Sequence, residues 1–274
     1  MKAMRVEWEP EERREEEAGY IVETGAHVRR ITIDRPDRLN ALSKGLQAGL
    51  TEEFLRCNED PEIRAVILTA TGERAFCPGA DLKELREGDQ AEGKFRGPMD
   101  QPGRLVFEVM METYKPVIAA LNGVAIGGGF ELALACDLRL AVPEARFGLP
   151  ESKLGMGAIY ASVVLPKRIP LAIALEMMFT GEYISAEEAA RWGLVNRIID
   201  PAALQDEALA LALSIADNAP VTVRRMKEMA VKGLDLPVHA ALRLDVGPNP
   251  YESEDRKEGI AAFVEKRKPV WKGR

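Results

Sequence analysis

The stretch GVAIGGGFELALACDL, residues 123–138, constrains this chain more than any other. Three consecutive glycines precede a helix-like apolar run, and one glutamate, Glu131, sits near its start. Glycine has no Cβ, so such a turn lets backbone come close to a ligand or to another segment. Where the turn feeds a helix, the first N–H groups have no intrahelical partner, and the positive end of the helix dipole lies behind them. Gly127, Gly128 and Gly129 therefore fit either a seat for a phosphate or a charging oxygen, or a crossover that needs only close packing. Glu131 on a first helical turn complements the dipole; among Phe130, Leu132, Leu134 and Cys136 its pKa should also rise, which suits proton transfer. A second carboxylate, Glu151, follows in FGLPES, and the two can converge only if the chain folds back.

AFCPGADL adds a second backbone feature. Pro78 and Gly79 force a turn that can leave the N–H of Ala80 facing a ligand; alternatively, Asp81 simply caps a helix beginning near Leu82.

Around these motifs the chain alternates. Residues 20–24 and 28–33 read as strands about a Gly25-Ala26 turn, and Ser43 caps a helix to about residue 58. AVILTA (65–70), VIAAL (117–121) and LRLAV (138–142) read as buried strands, with a helix over about 104–114 before Pro116. Residues 88–103, polar and rich in Gly and Pro, read as a mobile surface loop. Ser185-x-x-Glu188 reads as a capping box. Residues 201–217, 220–232 and 254–268 read as helices, with no further strand. The expected organisation is a charged, solvated arm over 1–19, an α/β core over 20–200 and a helical C-terminal part over 201–274.

Composition narrows the function. The 274 residues are 46% hydrophobic, enough for a substantial core, and the net charge of -7 argues against a general nucleic-acid or anionic-membrane binder. No apolar run is long enough to span a membrane, and the acidic start does not read as a signal peptide. Three widely spaced cysteines and no CxxC pair point to a reduced, cytoplasmic setting. With two histidines, His27 and His239, neither near a nucleophile-like serine, a His-based triad or metal site is not expected.

In order and spacing, RPDRLNAL, AFCPGADLKEL, KPVIAALNGVAIGGGFELALACDLRLA, FGLPESKLG, AARWGLVN and GIAAFVEKRKPVWKGR resemble the enoyl-CoA hydratase/isomerase (crotonase) superfamily from about residue 21 to 274. The resemblance implies a spiral of ββα repeats with a helical C-terminal domain, and homotrimers or homohexamers. It implies an oxyanion hole made by the N–H groups of Ala80 and Gly128, holding the thioester carbonyl of an acyl-CoA, with Glu131 and Glu151 as the acid–base pair. The activity implied is hydration of a 2-enoyl-CoA or the reverse dehydration, in fatty acid metabolism, with coenzyme A as part of the substrate and no metal or redox cofactor. Double-bond isomerisation, or a non-catalytic acyl-CoA- or RNA-binding relative, are the alternatives. The CoA moiety is expected against Pro78, Asp81, Leu82 and Lys83, with Arg38 near a phosphate and Phe263 and Lys266 reaching it across a subunit boundary. One departure stands out: GMGAIYASVVLPKR (155–168) replaces the usual glycine-rich turn, so Ile159 and Tyr160 reshape the acyl pocket, and Tyr160 can hydrogen-bond a polar acyl group or a water. The C-terminus is also locally similar to carnitinyl-CoA dehydratases.

Overall fold

An antiparallel meander starts the fold: β1 (Glu11–Glu15), β2 (Tyr20–Gly25) and β3 (Val28–Ile33). The structure is a computed structural model that describes residues 8–92 and 103–274. After α1 (Lys44–Glu59), capped by the Ser43 hydroxyl accepting from the Leu46 N–H at 3.1 Å, the chain repeats one pattern three times. β4 (Ala65–Ala70), β5 (Ala75–Cys77) and α2 (Leu82–Glu92) form the first unit. A short α3 (Val106–Met111) precedes the second, made of β6 (Val117–Leu121), β7 (Val124–Ile126) and α4 (Gly128–Ala135). The third is β8 (Leu138–Ala141), β9 (Arg146–Gly148) and α5 (Glu151–Leu154). The first strand of each unit joins a large sheet, ordered β1-β2-β3-β4-β6-β8 and completed by β11 (Arg197–Ile198). The second strand joins a small sheet, ordered β9-β7-β5 and extended at its β9 edge by β10 (Ile184–Ser185). Each turn of the chain thus adds one parallel strand to both sheets, which is the expected spiral of ββα units.

β4 and β6 are buried along their whole length, because helices and the second sheet cover them on both sides. Each large apolar side chain so buried contributes about 1.5–3 kcal/mol. α6 (Ile159–Val164), α7 (Leu171–Thr180) and α8 (Ala186–Arg191) follow the third unit, and Ser185 and Glu188 form the capping box of α8. α9 (Leu204–Ala216) packs Leu204, Ala208, Ala212 and Ala216, one residue per turn, against β4 and β6. The remaining helices are α10 (Pro220–Gly233), α11 (Val238–Ala241) and α12 (Glu254–Glu265). Lys227 on α10 ties this helical part to the core, its Nζ lying 2.6 Å from Asp137 Oδ2 and 2.8 Å from the Lys115 carbonyl.

The structure departs from the sequence reading in four places. The charged arm is not wholly solvated chain: Glu11–Glu15 pairs with β2, and Arg13 reaches the fully buried Glu53, which also faces Arg29 and Arg56, each at 3.3 Å. Buried opposite charge gives the acidic run a reason to dock. The loop expected over 88–103 begins inside α2, which continues to Glu92; residues 93–102 lie outside the described residues. The helix expected over 254–268 stops at Glu265, because Lys266 turns left-handed with φ +56°. Finally, β5, β7, β9 and β10, each of two or three residues, gave no periodic signal.

Candidate active site

The turn after β5 carries Ala80. Its partner is the loop Arg35–Leu42, in which Pro36 starts a single 3-10 turn and Leu39 and Asn40 are left-handed. The Asn40 side chain holds that loop, accepting from the Arg35 N–H at 3.0 Å and donating to the carbonyls of Thr71 at 3.0 Å and Ala75 at 2.9 Å. Leu42 and Ala80 then form a parallel bridge: the Leu42 N–H donates to Gly79 at 2.8 Å, and the Asp81 N–H donates to Leu42 at 3.0 Å. In that pattern the residues flanking Ala80 make the bonds, so the N–H of Ala80 itself points away from the bridge. Among the described residues it has no acceptor.

The turn after β7 carries the three glycines, and each meets a different constraint. Gly127 has φ +54° and ψ -127°, a conformation closed to residues with a side chain, and its N–H donates to Gly148 at 2.9 Å. A Cβ on Gly127 would also lie 2.9 Å from Glu151 Oε1. On Gly128 it would lie 3.0 Å from Leu42 Cδ1, and on Gly129 only 2.0 Å from the Cys77 carbonyl oxygen. Gly128 opens α4, too early for an intrahelical acceptor, and among the described residues its N–H has no partner. A Cβ on Gly79 would be 3.4 Å from Gly128 N, so the turns bearing Ala80 and Gly128 are in main-chain contact. At the far end of α4, the buried Arg139 guanidinium donates to the carbonyls of Ala133 at 3.1 Å and Cys136 at 2.7 Å, a cation at the negative end of the dipole.

Both glutamates converge here. Glu131 is 6% exposed, and its Oε1 accepts from the Ala161 N–H at 2.8 Å. Burial pushes its carboxyl up to about 7; the Ala161 and Tyr160 N–H groups pull the other way, and the negative charge of Glu151 adds to the rise. Glu151 opens α5 after Pro150, and burial raises its pKa as well. Its Oε2 is buried without a hydrogen-bond partner among the described residues, an arrangement that polar groups rarely keep without a use. Tyr160 is buried, its ring 5.5 Å from that of Phe107, whose Cζ would be 3.8 Å from a Cβ on Gly128. The altered segment meets Glu131 directly through the Ala161 N–H.

The residues expected to hold CoA divide. Asp81 turns inward: burial would raise its pKa, but the Arg35 guanidinium at 3.1 Å, the Glu84 N–H and the charges of Arg35 and Arg38 together hold it below the ordinary carboxylate value. Pro78 forms the turn ahead of Ala80, and Leu82, Lys83 and Arg38 are exposed beside it. Phe263, 85% exposed on α12, and Lys266, just past the end of that helix, have no described contact that leads to the glutamates. The sequence reading missed Phe107, which looks like any core aromatic, and the Ala161 N–H, since a main-chain donor has no side-chain signature. Arg35 was also missed, although RPDRLNAL pointed to it. A separate cavity of about 710 Å³ opens among Arg64, Tyr114, Lys115, Arg224 and Trp271 and contains neither glutamate. Among the described residues no acidic, histidine or cysteine cluster is placed to hold a metal, and no helix is long and apolar enough to cross a membrane.

Two unpartnered main-chain amides beside two carboxyls of raised pKa can polarise a carbonyl and move protons next to it. Fold and site together describe an acid–base enzyme for carbonyl compounds. The chain belongs to the enoyl-CoA hydratase/isomerase family, whose model matches residues 23–274. It is 41% identical over 255 residues to the (E)-benzylidenesuccinyl-CoA hydratase of Thauera aromatica, covering 92% of this chain and 98% of that one. It is 43% identical over 251 residues to the carnitinyl-CoA dehydratase of Salmonella paratyphi A, covering 89% and 94%, so that likeness is not confined to the C-terminus. The crystal structure of enoyl-CoA hydratase from Bacillus anthracis superposes with a TM-score of 0.82 at 35% identity, over 93% of this chain and all of that one.

Proposed function

We propose that the protein adds water reversibly across the double bond of a 2-enoyl-CoA thioester. The observation that carries this is the convergence of the free N–H groups of Ala80 and Gly128 with Glu131 and Glu151. The thioester carbonyl accepts from both amides. As water attacks the β-carbon, negative charge collects on that oxygen, and each donor is worth about 2.7–4 kcal/mol to the enolate-like transition state. One carboxylate takes the water proton while the other carboxylic acid protonates the α-carbon, so the working state is the pair holding one proton. Burial raises both carboxyls, and the charge of Glu151 adds to the rise at Glu131, which keeps a proton available at Glu131 near neutral pH. Leu82, Lys83 and Arg38 lie outside the turn, where the CoA moiety leaves the pocket. Phe107 and Tyr160 give the acyl end aromatic walls. Ile260, Phe263 and Val264 form an exposed apolar stripe on α12, which fits a homotrimer or homohexamer in which Phe263 and Lys266 complete a neighbouring CoA site.

The test is a panel of straight-chain, aryl-substituted and trimethylammonium-bearing enoyl-CoA thioesters, followed by loss of conjugated absorbance. Wild type should turn over at least one, while Glu131→Gln and Glu151→Gln each lose about 10²-fold or more in kcat with little change in thioester affinity. Turnover of 3-enoyl thioesters alone would replace hydration by isomerisation.

A further inference from the structure

RPDRLNAL supplies no group to the proton transfers above, yet it forms a loop fastened at several points beside the site. Arg35 enters it with its stem against Gly19, where a Cβ would lie 2.5 Å from Arg35 Cγ. Gly19, at φ +80°, leaves that passage open. The guanidinium then bridges two segments of chain. Nη1 donates to the carbonyl of Ala41, and Nη2 lies 3.1 Å from Asp81 Oδ2. Ala41 precedes Leu42 and Asp81 follows Ala80, so both partners are immediate neighbours of the one bridge that turns the Ala80 N–H outward. The pair is sheltered, with side-chain exposures of 20% and 8%. A planar guanidinium with two donors fixes direction as well as distance, which an ammonium cannot do.

We propose that Arg35 is a positioning residue for the reaction: by gripping the Ala41 carbonyl and the Asp81 carboxylate at once, it sets the register of the Leu42–Ala80 bridge and hence the aim of the Ala80 N–H at the thioester oxygen. This rests on the reading of Ala80 as a carbonyl donor. Asp81 is on this account the second half of a clamp, with no contact of its own to CoA. The role differs from general stabilisation because the clamp spans only the residues on either side of the bridge.

The experiment compares wild type with Arg35→Met, which keeps the stem and removes the fork, and with Asp81→Asn, which keeps the shape and removes the charge. Turnover is followed with crotonyl-CoA. Carbonyl polarisation is read by infrared difference spectroscopy with butyryl-CoA carrying ¹³C at the thioester carbonyl. In wild type, binding should lower the carbonyl stretching frequency. In Arg35→Met that lowering should shrink and kcat should fall about 10- to 100-fold, because misaiming one donor forfeits part of its effect, while KM changes by less than about three-fold. Asp81→Asn should move both readouts the same way by a smaller amount, and it decides the matter if Arg35→Met does not fold. Variants with a lower melting temperature but an unchanged carbonyl shift, and with unchanged kcat per folded molecule, would overturn the role of Arg35 alone. No carbonyl shift in wild type would overturn the reading of the Ala80 and Gly128 amides, and the clamp with it.

Discussion

Gly129→Ala is the sharpest single test of how α4 and β5 are joined. A Cβ on Gly129 would lie 2.0 Å from the Cys77 carbonyl oxygen, 2.6 Å from its carbon and 2.8 Å from the Cys77 Cβ. The obstacle is main chain on a paired strand, so no rotamer change relieves it. Reaching 3.0 Å, the shortest approach real Cβ atoms make, moves α4 away from β5 by about 1 Å. Gly128 adjoins Gly129, and Ala80 lies three residues beyond Cys77, so the shift opens the gap between the two amides proposed to share one oxygen. A misplacement of that size costs about 100-fold in rate, or about 2.7 kcal/mol. The overpacking itself costs about 1–3 kcal/mol of stability. Steady-state hydration measured beside thermal unfolding should therefore show kcat down about 100-fold in a folded but less stable protein. Gly72→Ala is the control for a glycine change without a clash: Gly72, unlike Gly129, has a positive φ, +81°, but nothing lies within 4 Å of its Cβ position. It should cost about 1 kcal/mol of stability and leave kcat alone. A folded Gly129→Ala protein with kcat within about three-fold of wild type would refute the reasoning.

Two further outcomes follow from burial and exposure. The Glu131 carboxyl sits at about 7 in the folded protein against an ordinary value of 4.5, so between those values the folded state keeps a proton that the unfolded chain has released. Its contribution to stability is complete below the lower value and is lost as pH rises through the upper one, by up to about 3 kcal/mol. Urea unfolding across that window should show a smaller loss in Glu131→Gln; equal losses would contradict burial as the cause. Phe263→Ser should lower the molar mass found by light scattering on a sizing column, since Phe263 is 85% exposed in the single chain. Unchanged mass would remove the α12 stripe as a contact between subunits.

What could be read in advance depended on length and on chemistry. β4 and β6 were legible because burial on both faces demands unbroken apolar runs, and AVILTA and VIAAL leave no other reading. Ser43 and Ser185 were legible because capping is local chemistry. The small sheet was not: three residues are too few for any period, and what makes β5, β7 and β9 strands is their pairing with one another. At the site, Glu131 could be picked out as a carboxyl in apolar company; Glu151, one of 44 acidic residues, gained its role only from the family resemblance, and the convergence of the two is a tertiary fact. Asn40 and Arg35 act on main-chain atoms of distant residues, which no local pattern encodes. The sequence reading left the glycine run between a donor turn and a packing turn, and the structure shows packing at Gly129 and an unpartnered amide at Gly128.

The least legible element is also the one that explains the site. β5, β7 and β9 are adjacent and parallel, so their C-terminal ends lie on one edge of the small sheet. Ala80 follows the first, Gly128 the second and Glu151 the third, each within three residues of its strand. Neighbouring strands are about 4.8 Å apart, and two amides at that separation can each place a hydrogen bond of about 2.9 Å on one shared oxygen. The third strand then sets Glu151 one step further along, which on the proposed reading lies over the atoms next to that oxygen, and α4 returns Glu131 to the same place from its first turn. Repetition of a single ββα unit thus spaces the donors and one of the acids by the sheet's own hydrogen-bond period. The turns that follow these short strands meet through glycine contacts with no room for a side chain, so the site's geometry is sensitive to a single methyl group at Gly129.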